Sequence, residues 1–237
     1  MSTTPSGYWF RFPARRPESM IFQGAMNALN PVRSVADQIV EAIQVHLPDL
    51  SKDEANHRAL NLLELVGIDA SRGREYPHQF SGGMRQRAMI ALALSCDPVL
   101  VVADEPTTAL DVMIQAQIIE LLSRIRRELG MALVLITHDL GVVAETCDWV
   151  VVMYGGIVAE QGSVEDVYSN PQHPYTKLLL EAFPDVDQPE RLLVSIRGVG
   201  SHHDARLLSN GATRSSHRAT YSGRDAKLPV SCWIRAR

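Results

Sequence analysis

The sequence predicts an α/β fold in which helices flank a sheet of parallel strands. Val99–Ala103 is a continuous apolar run that ends on two adjacent carboxylates, Asp104 and Glu105. Ala132–Ile136 is a second apolar run, and the amphipathic segment Val112–Leu129 separates the two. Uninterrupted apolar runs of this length are typical of strands buried on both faces of a parallel sheet. A strand, a covering helix and a second strand in this order therefore predict a parallel sheet.

The composition is that of one globular domain. The chain has 237 residues, of which 46% are hydrophobic, and this is enough to bury a core. Its net charge of -4 argues against a dedicated nucleic-acid surface, so no nucleic-acid partner is predicted. No apolar stretch approaches the ~18 residues that span a bilayer, so any membrane role requires a partner. The three cysteines lie far apart without a metal-binding or redox spacing, which predicts reduced thiols in a cytosolic protein.

The segments before the carboxylates predict an irregular arm, a strand and two helices. Residues Met1–Pro17 hold three Pro, three Arg and no acidic residue, which predicts an irregular arm. Met20–Phe22 predicts a strand, and Gln23 follows it. Val35–Val45 has helical spacing of its apolar residues, and a capping-box pattern at Ser51–Glu54 predicts a second helix.

A phosphate-facing site is predicted around the two carboxylates. Ser81 is a plausible N-cap for a helix at Met84–Leu94, and Gly82 and Gly83 let backbone N–H groups approach an anion. Asp104 and Glu105 lie at the carboxyl end of the first buried strand, which is the edge where open α/β sheets bind ligands.

The second half of the chain continues the same pattern. Asp111 is placed to cap the covering helix, which Gly130 ends, and His138 directly follows the second buried strand. Trp149–Tyr154 predicts a third apolar strand, and after a Gly-Gly turn Ile157–Gln161 predicts a strand that pairs with it.

Several motifs resemble those of ATP-binding-cassette (ABC) ATPases. FSGGMRQR, residues 80–87, followed by LVVADEPTTALD, residues 100–111, resembles the signature, Walker B and D-loop motifs in the same order and at similar spacing. MIFQGAMNALNP, residues 20–31, resembles the Q-loop, and His138 resembles the switch histidine. NPQHPYTKLLLEAFP, residues 170–184, resembles the tail segment of ATPases that serve oligopeptide, dipeptide and nickel importers.

The resemblance implies the fold and the domain organisation. It implies a P-loop NTPase-type ABC ATPase core over residues 18–200, with an inserted helical subdomain at about residues 35–95. The remaining residues, 201–237, hold seven basic and two acidic residues, whereas the first two hundred hold sixteen basic and twenty-five acidic. This abrupt shift predicts a disordered basic tail or a translated wrong reading frame.

The resemblance also implies roles for individual residues in a site that binds ATP and Mg²⁺. Glu105 would be the general base or polarise the attacking water, and His138 would contact the γ-phosphate and order Glu105. Gln23 would contact the magnesium ion or the water, and Asp104 would hold the magnesium. The nucleotide-binding residues that the motifs imply are Ser81, Gly82, Gly83, Asp104 and Asp111, the first three acting on a nucleotide held by the opposite subunit.

The resemblance further implies the partners and the cellular location. The expected partners are membrane-spanning permease subunits, a second ABC ATPase subunit in a homo- or hetero-dimer, and indirectly an extracytoplasmic solute-binding protein. The expected position is peripheral, on the cytoplasmic face of the cell membrane. The expected function is to bind and hydrolyse ATP and so energise a peptide-type importer.

The sequence departs from the family in one important respect. No Gly-rich loop ending in Lys-Ser or Lys-Thr, the Walker A motif, precedes Gln23, and none of Lys52, Lys177 and Lys227 follows a glycine. We therefore expect an N-terminally truncated core, in which two strand edges that flank the family's P-loop strand are unpaired. Whether the chain is an active enzyme stays open. The alternatives are a non-catalytic partner that donates its signature motif to another ATPase subunit, or the product of a decayed gene.

Overall fold

A computed structural model describes residues 18–24 and 28–182 and, as backbone, residues 230–235. Six strands in these ranges form one sheet. Their bounds are β1 Glu18–Ile21, β2 Leu100–Asp104, β3 Ala132–Thr137, β4 Trp149–Tyr154, β5 Ile157–Ser163 and β6 Val230–Arg235. The predicted arm at residues 1–17, and the tail prediction for residues 201–229 and 236–237, lie outside the described residues.

The sheet is mixed but mostly parallel. Its strand order is β1-β2-β3-β6-β4-β5, and every neighbouring pair is parallel except β4 with β5. Val102 aligns with Met20 on one side and with Val134 on the other. The alternating burial of β2 and β3 places Val101, Ala103, Leu133 and Leu135 in the core. The predicted α/β class with a parallel sheet is therefore confirmed.

The strand β6 corrects the expectation of two unpaired edges. It lies between β3 and β4 and is parallel to both, with Val134 and Trp149 both aligned on Ser231. Because β6 pairs with β3 and β4, their backbone groups have ladder partners within the sheet. The run VSCWIR is rich in residues that favour strands, which suits it to this central position.

Seven α-helices occur in the described residues. Their bounds are α1 Val35–His46, α2 Lys52–Leu65, α3 Gly82–Ala93, α4 Val112–Leu129, α5 Leu140–Thr146, α6 Val164–Ser169 and α7 Pro174–Glu181. Two short 3₁₀ helices, Ala70–Arg74 and Pro77–Gln79, lead into α3. The capping box predicted at Ser51–Glu54 is present, and α3 begins two residues earlier than expected because Ser81 caps it at Met84 N.

The helices α1, α2 and α3 form a compact insertion between β1 and β2, which are neighbours in the sheet. Arg87 of α3 donates to Val66 O at 2.8 Å, and Arg124 of α4 donates to Leu65 O at 3.0 Å. These carbonyls lie at the end of α2, whose last turn has no basic residue of its own. Two arginines from neighbouring helices thus stabilise the C-terminal end of α2 and fix the insertion to the rest of the fold.

The expectation of three reduced thiols is wrong for Cys147, which is disulfide-bonded, whereas Cys96 is a free thiol. Among the described residues, none of the helices has both the length and the apolar character needed to cross a bilayer.

Candidate functional site

Glu105 is the first residue after β2 and lies at the carboxyl edge of the sheet. Its backbone has φ of 43°, in the left-handed region that non-glycine residues rarely adopt. Its N–H donates to Ile136 O of β3 at 2.8 Å, which joins the ends of the two strands. The side chain is 13% exposed, so the carboxylate lies in a recess with one side open to solvent.

Three side chains contact the Glu105 carboxylate, two of them from other segments of the chain. Gln23, two residues after β1, donates its Nε2 to Glu105 Oε2 at 2.6 Å. Thr108 donates its hydroxyl to the same oxygen at 2.8 Å. His138 Nδ1 lies 3.4 Å from Oε1, the other carboxylate oxygen. The structure therefore brings together Gln23, Glu105 and His138, the three residues that the sequence predicts as catalytic.

The position of His138 is set by the start of α5. Asp139 caps this helix by accepting from Gly141 N at 2.9 Å and from Val142 N at 3.1 Å. The Tyr168 hydroxyl donates to Leu140 O at 2.7 Å. Burial, with a smaller contribution from the charge of Asp139, raises the pKa of Tyr168 to about 12, so this phenol stays a donor at neutral pH. His138 is thus exposed but lies on a fixed turn between β3 and α5.

Asp104 is the last residue of β2, one position before Glu105, and it is half-buried. Its carboxylate makes no hydrogen bond or ion pair within the described residues. A carboxylate at this edge without a protein partner suits a hard cation such as Mg²⁺, which binds one or two carboxylates and completes its shell with water and phosphate oxygens. Over the same residues no group of three or more His, Cys, Asp and Glu could form an all-protein metal site. The half-buried Asp104 carboxylate therefore has the chemistry to bind a hard cation.

The turn formed by Ser81, Gly82 and Gly83 lies at the start of α3 and packs against α4. Ser81 Oγ accepts from Met84 N at 3.3 Å, as an N-cap does. A Cβ placed on Gly83 would lie 2.8 Å from Cγ2 of Ile114, so this glycine is required by the close approach of two helices. From the sequence, the only role expected of Gly83 was to let backbone N–H groups approach an anion.

Asp111 caps α4, as predicted, by accepting from Ile114 N at 2.9 Å. It is exposed, and the next two side chains, Val112 and Met113, are 79% and 73% exposed. This corner of the molecule therefore presents a carboxylate beside two solvent-facing apolar side chains.

Two residues of this region were not singled out from the sequence. Thr108 binds the Glu105 carboxylate, and Gln115 donates to the carbonyls of Thr107 and Leu110, each at 3.3 Å. The three-residue spacing between Glu105 and Thr108 is that of a local hydrogen-bonded turn, so it was a usable signal. A contact from a helical glutamine back to the preceding loop has no comparable signal.

Comparison with known families gives two matches. Residues 11–108 match the family described as ABC transporter. Residues 159–209 match the family described as oligopeptide/dipeptide transporter, C-terminal region.

Among curated proteins, the chain is similar to the probable peptide ABC transporter ATP-binding protein y4tR of Sinorhizobium fredii. The two are 54% identical over 169 residues, which are 70% of this chain and 50% of that protein. It is also similar to the dipeptide transport ATP-binding proteins DppD of Bacillus subtilis and Escherichia coli. Each is 53% identical to it and aligned over 76% of this chain, which corresponds to 54% and 56% of those proteins. The chain thus spans about half the length of the curated relatives it matches.

Among solved structures, the fold is similar to a dimeric ATP-binding cassette in a post-hydrolysis state, bound to ADP and Pi. The TM-score is 0.55 at 29% sequence identity, and the match covers 63% of this chain and 64% of the other.

Proposed function

Because the chain belongs to the family of ABC transporter ATP-binding proteins, we propose that it is an ATP-binding and ATP-hydrolysing subunit, or a fragment of one, that energises a peptide-type importer. One observation supports this most strongly. The Glu105 carboxylate lies at the carboxyl edge of the sheet and is contacted by Gln23 and His138, which come from two other segments. Phosphoryl transfer to water requires such an oriented group beside the nucleotide.

Each residue of the site has a role that follows from its position. Glu105 accepts a hydrogen bond from the attacking water and takes its proton, while Gln23 and Thr108 hold one carboxylate oxygen and leave the other facing His138. His138 is 64% exposed, so its ring is accessible to a phosphate oxygen. Asp104 and Gln23 would hold magnesium, which when bound with ATP neutralises charge that builds up on the phosphates.

The test compares two glutamates in the purified full chain. Glu105→Gln removes the proton acceptor and is expected to lower Mg-dependent ATP hydrolysis on the order of 10²-fold or more, with nucleotide binding retained. Glu120→Gln removes the same charge from the exposed side of α4 and is expected to leave hydrolysis unchanged. Phosphate release is measured for hydrolysis, and a fluorescent ATP analogue for binding. Hydrolysis that survives Glu105→Gln would contradict the proposed role.

We propose that permease subunits contact the face formed by residues 28–34 and α1. Val32 and Val45 on this face are 78% and 67% exposed. Val45 lines a groove of about 310 Å³ that is also lined in part by Arg33, Glu41 and Leu92. An apolar groove with a charged border is the usual character of a protein contact site.

This contact can be tested by cross-linking in membranes that contain co-expressed permease subunits of a peptide importer. Val45→Cys is expected to form a disulfide with a cysteine introduced in a cytoplasmic permease loop. Val158→Cys, at an exposed valine of β5, is the control. Equal cross-linking from both positions would argue against a specific face.

A second candidate function is a non-catalytic partner that donates its signature turn to another ATPase subunit. The observation in its favour is that this turn is held in place by the Ser81 cap and by the close packing of Gly83 against Ile114 of α4. Arg72 binds Glu75 through Nη2 at 2.7 Å, contacts Met84 Sδ through Nη1 at 3.2 Å, and lies over the ring of Phe80. Co-purification with an intact ATPase and one bound ATP per pair would favour this role, whereas ATP hydrolysis by the chain alone would exclude it.

A further inference from the structure

The turn that follows Glu105 has an unfavourable backbone conformation at two residues. Glu105 and Ala109 have φ of 43° and 65°, although neither is glycine. Within the turn Thr108 N donates to Glu105 O and Leu110 N donates to Thr107 O, each at 3.2 Å. Side chains with a Cβ adopt the left-handed region only where surrounding contacts hold them there. Some group outside the turn must therefore stabilise it.

Gln115 is placed to provide that stabilisation. It is half-buried in the second turn of α4, and its Nε2 donates to Thr107 O and to Leu110 O, each at 3.3 Å. A primary amide has two N–H donors, so one side chain can serve both carbonyls. The two carbonyls flank Thr108 and Ala109, and the bonds close the turn from the side of the helix.

The helix itself is well fixed at this end. Asp111 caps it at Ile114 N, and Ile114 packs on Gly83 of α3. Gln115 therefore acts from a rigid element, which is the usual requirement for holding a functional group to within a fraction of an ångström.

The turn leads directly to the carboxylate. Thr108, between the two carbonyls that Gln115 holds, donates its hydroxyl to Glu105 Oε2 at 2.8 Å. We propose that Gln115 is a positioning residue, which holds the turn Glu105–Leu110 in its strained conformation and so keeps the Thr108 hydroxyl on the Glu105 carboxylate. The catalytic consequence rests on the proposed function, whereas the structural consequence does not.

The helix offers a matched pair of substitutions. Gln115→Glu keeps the size of the side chain but replaces two donors with a carboxylate that faces two carbonyl oxygens. Gln117→Glu makes the same chemical change two residues along, but Gln117 Oε1 accepts from Arg87 Nη2 at 3.2 Å, so a carboxylate there keeps its partner. Both variants change the net charge equally, and thermal melts establish that both are folded.

The first measurement is hydrogen exchange in the full chain without nucleotide. Gln115→Glu is expected to speed exchange of the Thr108 and Leu110 amides about tenfold or more, the effect of losing one or two neutral hydrogen bonds. Gln117→Glu is expected to leave both amides unchanged. Equal exchange in the two variants, or no change in Gln115→Glu, would overturn the proposal whether or not the chain hydrolyses ATP.

The second measurement tests whether Gln115 acts through Thr108. In ATP hydrolysis Gln115→Glu is expected to lower kcat about tenfold with little change in KM, since the loss concerns orientation of the carboxylate rather than nucleotide binding. In a Thr108→Val background, which already lacks the hydroxyl, the further effect of Gln115→Glu on kcat is expected to vanish. Thr108→Ser, which keeps the hydroxyl, is expected to restore sensitivity to Gln115→Glu.

Independent, multiplying effects of the two substitutions would show that Gln115 does not act through Thr108. If the unaltered chain binds ATP but does not hydrolyse it, the proposed function fails, and the exchange measurement still decides whether Gln115 holds the turn.

Discussion

At the scale of single residues, Gly83 has a packing role that is separate from any contact with phosphate. Its Cα lies so close to α4 that an added Cβ would be 2.8 Å from Cγ2 of Ile114, a separation that real Cβ atoms essentially never show. The turn proposed to face a nucleotide is therefore fixed against the same helix that Asp111 caps. Loss of function in a Gly83 variant would have two possible physical causes.

A double-mutant cycle separates these causes. Gly83→Ala is expected to destabilise the fold by about 1 kcal/mol, because overpacking costs about 1–3 kcal/mol and removal of a helical glycine returns about 1 kcal/mol. In an Ile114→Ala background the clash is absent, so the same substitution should be neutral or stabilising. Urea unfolding of the four proteins measures the coupling. Ile119→Ala, at another half-buried isoleucine of α4, is the control, and the same coupling there would contradict a specific Gly83–Ile114 contact.

The sequence predicted many of the local contacts at this scale. Ser51, Ser81 and Asp111 cap helices where their residue types and positions indicated, and Gly130 ends α4 with φ of 62°. These signals are local, because a cap and its partner lie within a few residues of each other. Gln115 was missed because its bonds depend on how a helix packs back on the loop before it.

At the scale of elements, the entry to α7 is held to β4 and β5 by hydrogen bonds and by ring packing. His173 is 2% exposed and caps the helix by accepting at Nδ1 from Tyr175 N at 3.1 Å. Glu160 of β5 accepts from Gln172 N at 2.7 Å and from His173 N at 3.1 Å. The rings of Tyr154 and Tyr175 pack with centroids 4.4 Å apart. These contacts make His173 the capping residue at the entry of α7.

This junction predicts a pH dependence of stability. Burial lowers the pKa of His173, and the nearby Glu160 carboxylate offsets only part of that effect. The native state therefore binds the proton less readily than the unfolded chain, whose histidine titrates near about 6.5. The stabilisation is present above that pH and is lost as pH falls below it, because a protonated Nδ1 cannot accept from Tyr175 N.

The measurement is urea unfolding at pH 7.5 and 5.5. His173→Asn, which can still cap the helix but does not titrate, is expected to show a smaller loss of stability on acidification than the parent. His57→Asn, at an exposed histidine of α2, is expected to match the parent. A parent and a His173→Asn variant with equal losses would contradict the assignment.

At the scale of the whole molecule, the sheet is continuous because β6 pairs with both β3 and β4. Leu133 of β3 aligns with Val230, and Met153 of β4 aligns with Arg235, so β6 separates two strands that are close in the chain. The sequence predicted the α/β class and the strands β1 to β5, whereas β6 lies within residues 201–237, for which it predicted a disordered basic tail or a wrong reading frame. No local pattern in the VSCWIR run indicates which strands it pairs with. The run also lies far along the chain from its neighbours β3 and β4.

The role of β6 can be tested with one proline. Ser231→Pro removes a backbone donor from the middle of the sheet and is expected to cost about 1–3 kcal/mol of unfolding free energy. Hydrogen exchange should rise in β3 and β4 more than in β1. Ala219→Pro, in the same part of the sequence but outside β6, is the control. Unchanged exchange in β3 and β4 after Ser231→Pro would show that β6 does not pair there in solution.

The central place of β6 has a consequence for synthesis of the protein on the ribosome. Of the six strands it is translated last, and the interval between Ser163 and Val230 corresponds to roughly 3–13 s at ordinary elongation rates of about 5–20 residues per second. During that interval the nascent chain already carries β3 and β4 but cannot join them through β6. Chaperones that bind exposed strand edges would therefore have a window of seconds in which to engage this chain.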